Sequence, residues 1–241
     1  MPAAFLSKNR HVDFCSALNN NLRMEKIYED KDFVAINKPA GLESEKTADV
    51  LFLVHRLDKD TSGVLILAKN KHAEEFLREQ FNERKVKKEY RALVLGEIKN
   101  KKGVIDLPIG RSGGKFFKRI AVGKLRGRIR EAVTEYRVLE EFPDFEGVDG
   151  GLTLVAVFPL TGRTHQIRSH FSAIGHPVVC DKLYSGKRYI CPFGLLRQFL
   201  HAFAIEFELP LDGKIRLEAD MPEELTKVLA ALRVSSQNDI F

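Results

Sequence analysis

Between two apolar runs, DVLFLV and GVLILA, the chain places the stretch HRLDKDTSG, His55 to Gly63. It gathers a histidine, two cations (Arg56, Lys59), two acids (Asp58, Asp60) and two hydroxyls (Thr61, Ser62). A carboxylate among fixed cations is held ionised. Such a carboxylate suits a nucleophile or an electrostatic stabiliser better than a general acid. Asp58, with Arg56 and Lys59 close by and His55 three residues before it, is the candidate. A polar turn with an internally paired aspartate accounts for the same residues, and both readings stand at this point.

A second dense stretch runs FPLTGRTHQIRSHFSAIGHP, Phe158 to Pro177. Arg163 lies beside a predicted helix start that Thr164 can cap, and His165, Gln166 and Arg168 fill the first turns. Helix N-termini attract anions through their dipole and unpaired N–H groups. The surface is therefore anion-receptive, and if it faced Asp58, Arg163 could be that carboxylate's partner. An ordinary surface helix with scattered cations is the alternative.

Two other chemistries fail on spacing. His165, His170, His176 and Cys180 include no pair of histidines at i, i+4, and Cys180 and Cys191 form no C-x-x-C, so no metal is expected. GRSGGK, Gly110 to Lys115, lacks the glycine spacing of a phosphate loop and has Phe116 where Ser or Thr should follow the lysine. A glycoside hydrolase would want a second catalytic carboxylate; Asp60 is the near candidate, and nothing marks it for that role.

The whole chain, 241 residues with a formal net charge of +6, suits a soluble protein of one large or two small domains. The charge is unevenly spread. From Ile109 to Arg130 there are eight Lys or Arg (Arg111, Lys115, Lys118, Arg119, Lys124, Arg126, Arg128, Arg130) and no acid. With the pair Phe116–Phe117, this block fits a strip for a phosphate backbone, or else a solvated hairpin. No apolar run is long enough to span a membrane and the start lacks a secretory apolar core. Three scattered cysteines suit a reducing cytoplasm better than a disulfide framework.

The elements that must position these residues are mostly strands. DFVAINK, KEYRALVLGEI, AVTEYRVLEEF, LTLVAVFPL and FLHAFAIEFEL read as strands. Helices are predicted after Asn70 as cap, with Phe76, Leu77 and Phe81 on one face, and from Thr164, with Ile167, Phe171 and Ile174 buried and Gly175 as stop. A short helix is expected over Cys191 to Gln198, and a last one capped by Asp220 with Leu225, Val228, Leu229 and Leu232 inward. Strands that follow one another without an intervening helix indicate an α+β fold with much antiparallel pairing. By pattern alone Tyr90 is a core or cross-strand aromatic and Leu200 is core.

Taken in order, the motifs NKPAGL, HRLDKDTSG, KEYRALVLG, LPIGR, PLTGRTHQIRSHFSAIGHPVVCDKLYSG and LLRQFLHA resemble those of the RluA-type RNA pseudouridine synthases. They cover roughly residues 27 to 210. The related RsuA-type branch usually shows GRLD and an N-terminal S4 domain; here HRLD stands, and about 25 residues precede the matching region. The resemblance implies a bent, mainly antiparallel mixed sheet in two pseudo-related halves, with flanking helices and a central cleft. Residues 1–25 show no clean periodicity and are expected as a loosely held arm, followed by one catalytic domain at 26–241.

The reaction implied is conversion of uridine to pseudouridine in rRNA or tRNA, without metal or organic cofactor, by a cytoplasmic monomer with no membrane partner. Asp58 matches the family's essential aspartate, which attacks the target nucleoside at ribose C1′ or by another route. Arg163 matches the arginine that pairs with it. Tyr90 matches the tyrosine that stacks on the base, Leu200 the aliphatic residue of the uracil pocket, and Arg56 an arginine that fills the gap left by the flipped base. His55, Arg168, Lys118, Arg119, Arg126 and Arg128 are expected as further RNA contacts. One departure stands out: the segment between KPAGL and HRLD, ESEKTADVLFLV, is shorter than is usual in the family, which bears on substrate choice more than on chemistry.

Overall fold

The computed structural model describes residues 24–48, 51–113, 118–143, 145, 147–210 and 213–238. The N-terminal arm up to residue 23 and the expected Phe116–Phe117 pair lie outside the described residues. The chain begins with β1 (Glu25–Glu29), β2 (Phe33–Lys38), α1 (Glu45–Ala48), β3 (Phe52–Leu53), β4 (Ser62–Ala68) and α2 (Lys71–Asn82). It continues with β5 (Lys87–Leu95), β6 (Lys102–Asp106), β7 (Ile109–Ser112), β8 (Arg119–Ile120), β9 (Leu125–Arg130), β10 (Val133–Phe142) and β11 (Leu152–Pro159). Then come α3 (Gln166–Ala173), β12 (Leu200–Glu208), β13 (Lys214–Glu218) and α4 (Glu223–Asn238). The expected α+β class with mainly antiparallel strands is what the structure has. Two compact units divide it: Met1–Lys88 with Ala202–Asp220, and Glu89–His201 with Met221–Phe241.

In the first unit, β2 pairs antiparallel with β1 on one side and β4 on the other, from Phe33 opposite Ala68 to Lys38 opposite Gly63. The β-branched and aromatic residues of β2 and β4 favour a pleated surface, and every residue of β4 is buried. Phe33, Ala35, Val64, Ile66, Phe207, Ile215 and Leu217 form one core with Leu77 of α2. α2 starts as expected: the Asn70 side chain accepts the Ala73 N–H at 2.9 Å. The buried Gln80 amide then exchanges two bonds with the Glu208 main chain, at 3.1 and 2.8 Å, which occupies backbone groups at the end of β12. Gly63 has φ +118, and a Cβ there would lie 2.1 Å from the Ala202 carbonyl oxygen. No other residue fits where the Asp58 loop enters β4.

In the second unit the strand order is β5-β11-β10-β6. Successive strand residues point to opposite faces, and β5 shows it. Leu93 and Leu95 pack with Leu152 and Leu154 against Leu225, Val228, Leu229 and Leu232 of α4. Ala92 and Val94 pack with Val155 and Val157 against Ile167 and Phe171 of α3. Each face of the sheet thus has its own helix. The basic block forms a separate small sheet of order β8-β7-β9. Ile109, Ala121 and Ala132 make its buried base, while β9 is exposed almost throughout. Among the described residues no helix is long and apolar enough to cross a membrane.

Several local expectations need correction. Cys191 to Gln198 is not a helix; it holds one 3-10 turn, Pro192–Gly194, with Phe193 at φ 50°. α4 starts at Glu223 rather than after Asp220, because the Pro222 carbonyl accepts the Leu225 and Thr226 N–H groups. Thr164 does not cap α3: the residue before that helix is His165, in the left-handed region at φ 56°, with no side-chain cap bond. Cys180 and Cys191 are joined by a disulfide with Cα atoms 4.6 Å apart. The Cys180 N–H donates to the Ile190 carbonyl at 2.9 Å, a juxtaposition that cysteine spacing could not reveal.

Candidate active site

Asp58 sits in the loop between β3 and β4, and that loop is stitched down by main-chain bonds. Lys38, at the end of β2, is fully buried. Its ammonium donates to the carbonyls of Pro39 (2.8 Å), Leu42 (2.8 Å) and Lys59 (3.1 Å). A buried cation is tolerated only with such compensation. Gly41 N–H reaches the same Lys59 carbonyl at 2.9 Å. The buried Ser44 hydroxyl donates to the Leu57 carbonyl and accepts the Leu57 N–H, each at 3.0 Å. Asp58 closes a turn by accepting the Thr61 N–H at 3.0 Å through its own carbonyl. The NKPAGL turn is therefore the bed on which Asp58 lies. Asp58 is half-buried at the head of a loop whose neighbours Leu57, Thr61 and Ser62 are buried.

His55 is placed otherwise than the sequence reading expects. β3 pairs with β4 through Phe52 and Leu53 and then stops. Beyond it the His55 Nε2 accepts the Ile66 N–H at 2.9 Å, so the ring continues the ladder in place of a strand. The imidazole stacks on Phe81 with centroids 4.8 Å apart. Burial, with the Lys88 charge second, pushes its pKa down to about 3. His55 is thus a neutral strut for the loop and not a cation offered to RNA. Arg56 is exposed and forms a 2.8 Å surface ion pair with Glu45, a weak tie.

In the second unit, Arg163 lies in the turn from β11 to α3, and Gln166 fixes that turn. The buried Gln166 Oε1 accepts the Arg163 N–H (2.9 Å) and the Thr161 hydroxyl (2.7 Å). Its Nε2 donates to the Val133 carbonyl (3.0 Å) and the Thr134 hydroxyl (2.9 Å) at the start of β10. All four hydrogen-bonding positions of the amide are used. The Arg163 guanidinium Nε donates to the Glu131 carbonyl at 3.0 Å. Around it opens a recess of roughly 370 Å³ lined by Arg111, Arg119, Arg128 and Arg130 together with Gly162, Arg163 and Thr164. Five arginines converge there, a fork-rich setting for phosphate oxygens. Arg126 belongs to the same sheet, opposite Arg111 in register.

Arg168 is the second expected RNA contact that lies inside the protein. It is buried and makes a two-point bond to Asp181, at 2.6 and 2.9 Å. His170 is also buried, its ring nitrogens 2.9 Å from the Thr134 hydroxyl and the Leu107 carbonyl, and burial lowers its pKa. Lys118 is half-buried with its ammonium 4.6 Å from the Tyr184 ring centroid; burial lowers its pKa against the opposing Asp181 charge. Tyr90 on β5 and Leu200 on β12 belong to one apolar cluster. The Leu93 N–H holds the Phe199 carbonyl at 3.2 Å, which seats Leu200 beside β5.

The sequence reading missed Lys38, Ser44, Gln166, Asp181 and Tyr184 as supports, and Arg111 and Arg130 as members of the recess. The two arginines could have been found, since they stand in the basic block. The buried supports bind main-chain groups or remote side chains, and no local signal announces that. Among the described residues no group of three His, Cys, Asp or Glu is placed to hold a metal ion.

Residues 32–173 match the family described as RNA pseudouridylate synthase. Similar proteins include a ribosomal large subunit pseudouridine synthase C of Pasteurella multocida, 35% identical over 97% of this chain and 76% of its own. Another of that name, from Vibrio vulnificus, is 38% identical over 87% of this chain and 69% of its own. Among solved structures, human RNA pseudouridylate synthase domain containing 4 superposes with a TM-score of 0.70 at 27% identity, over 87% of this chain and 93% of that one. With the match spanning the Asp58 loop, β5 and the Arg163 turn, the chain belongs to the RluA-type RNA pseudouridylate synthase family and is an RNA pseudouridine synthase.

Proposed function

We propose that this enzyme isomerises specific uridines to pseudouridine in ribosomal RNA, with Asp58 as the nucleophile. The observation that carries the reading is the main-chain cage under Asp58, built by Lys38, Gly41 and Ser44. A loop main chain held this firmly on both sides of Asp58 limits where its carboxylate can reach, and orientation supplies much of a catalytic effect. In the reaction, Asp58 attacks ribose C1′ as the C1′–N1 bond breaks and the base carries the electron pair away. The uracil turns, C5 bonds to C1′ and releases the aspartate, C5 loses its proton, and N1 gains one. Atoms balance without an oxidant, reductant or cofactor.

The target base must leave its stack to be reached, at a cost of a few kcal/mol. Cations on Lys118, Arg119, Arg126 and Arg128, joined by Arg111 and Arg130, offset that cost by gripping the backbone. Tyr90 offers a stacking face that tolerates any base, and Leu200 lines the uracil pocket. Arg163 acts as the charge partner implied by the resemblance, and Arg56 as the residue that occupies the vacated stack. His55 and Arg168 support these groups from behind. The enzyme acts as a cytoplasmic monomer on RNA. The relatives' large-subunit names favour rRNA over tRNA.

The test is incubation with C5-tritiated large-subunit rRNA and, separately, tritiated tRNA. Tritium release from rRNA is expected. Failure of folded enzyme to release tritium from either RNA would sink the reading, and release from tRNA alone would redirect it to that substrate.

A further inference from the structure

The segment that follows α3 carries a buried tyrosine, Tyr184, whose hydroxyl joins two parts of the second unit. It donates to the main-chain carbonyl of Arg119, in β8, at 2.7 Å. It stands 3.1 Å from Nδ1 of His165. A hydroxyl has one proton, here given to a carbonyl that can only accept, so His165 Nδ1–H is the donor. His165 sits two residues after Arg163 and in the left-handed region at φ 56°, a conformation that neighbouring contacts must hold for a residue with a Cβ.

The rest of Tyr184 is anchored independently of the basic sheet. Asp181, clamped by Arg168, accepts the Leu183 and Tyr184 N–H groups at 3.0 and 3.2 Å. Ser172 of α3 donates to the Tyr184 carbonyl at 3.1 Å. The ring itself carries the Lys118 ammonium at 4.6 Å and the Arg168 guanidinium at 5.1 Å from its centroid. The backbone of Tyr184 thus belongs to the α3 side, and its side chain reaches across to the sheet that holds Lys118, Arg119 and the arginine recess.

We propose that Tyr184 is a positioning residue for pseudouridylation, its hydroxyl locking β8 to the His165 turn so that RNA seated on the basic sheet sets the placement of Arg163. This rests on the roles given above to Arg163 and the basic sheet. A purely structural tyrosine would lower stability and leave the rate per folded enzyme unchanged. A coupling tyrosine lowers the rate while RNA still binds, because every arginine of the recess remains.

Tyr184→Phe removes the hydroxyl and keeps the ring and both cation contacts. Its single-turnover tritium release is expected to slow about tenfold, the effect of removing one or two hydrogen bonds that matter at the transition state. RNA affinity should change less than about threefold, since the phosphate contacts that dominate it are untouched. His165→Ala cuts the same link from the other side; alanine is less at home than histidine in the left-handed region, so its rate is read per folded enzyme, with stability measured alongside. The double variant is then expected to be no slower than the slower single one. A wild-type rate in Tyr184→Phe, or rate reductions that simply multiply in the double variant, would overturn the proposal. Asp58→Asn is run in parallel: if it stays active, the reading of the site falls first. If it is inactive while Tyr184→Phe keeps full rate, the positioning role falls alone.

Discussion

At the scale of single residues, charge is held in two contrasting ways. Lys38 keeps an ammonium inside the protein by giving it three carbonyls, whereas His55 is kept neutral. Lys38→Met retains much of the bulk but takes the ammonium from all three carbonyls, of which that of Lys59 keeps another donor, the Gly41 N–H. A stability decrease of roughly 3 kcal/mol or more is expected, measured by urea unfolding, with activity falling further than the amount of folded protein because the Asp58 bed is gone. His55, with its pKa pushed from 6.5 to about 3, contributes nothing to the pH dependence of stability above its unfolded value. As the pH falls from about 6.5 toward 3, the unfolded chain takes up a proton that the native imidazole refuses, and stability drops by up to ~1.4 kcal/mol per pH unit. His55→Gln, which can still accept from Ile66, should lose less stability than wild type between pH 7 and pH 5. An equal decrease would show that His55 titrates normally. The catalytic reading of Asp58 rests on its company: its own charges left a polar turn open, and the ordered motifs are what point to chemistry there.

At the scale of elements, periodicity found what is amphipathic and missed what is not. α2, α3 and α4 announce themselves by their apolar faces, and β2, β4, β5, β10, β11 and β12 by β-branched runs. β6 and β13 read KGVID and KIRLE, too charged to stand out alone; β10 and β12 recruit them by pairing. The basic block shows the same limit, since β9 is exposed at nearly every residue and no apolar alternation marks it. The α3 start was misjudged because capping chemistry favoured Thr164, while Gln166 satisfies the turn from inside the helix. Replacing Arg111, Arg126, Arg128 and Arg130 by Gln is expected to weaken RNA binding. The slope of log affinity against log salt should flatten by roughly 0.7 to 0.9 for each phosphate no longer neutralised. An unchanged slope in binding measurements from low to physiological salt would place the RNA elsewhere.

At the scale of the molecule, the groups given roles above divide between the two units. The first holds Asp58 on a rigid bed; the second holds Arg163, Tyr90, Leu200 and the cationic sheet. Fold class and family were readable because their motifs are local strings in a fixed order. The supports were not, because Lys38, Gln166 and Tyr184 act through groups up to 65 residues away in sequence. Substrate choice belongs to this scale as well, and the shortened segment before HRLD and the basic sheet are where it is expected to reside. Above all, Asp58 is expected to perform the chemistry and not merely to help hold RNA. The most direct measurement compares wild type with Asp58→Asn on C5-tritiated rRNA, following tritium release and RNA binding in the same preparations. Release should vanish in Asp58→Asn while affinity stays within about threefold, since phosphate contacts dominate binding; undiminished release by the folded variant would contradict the assignment.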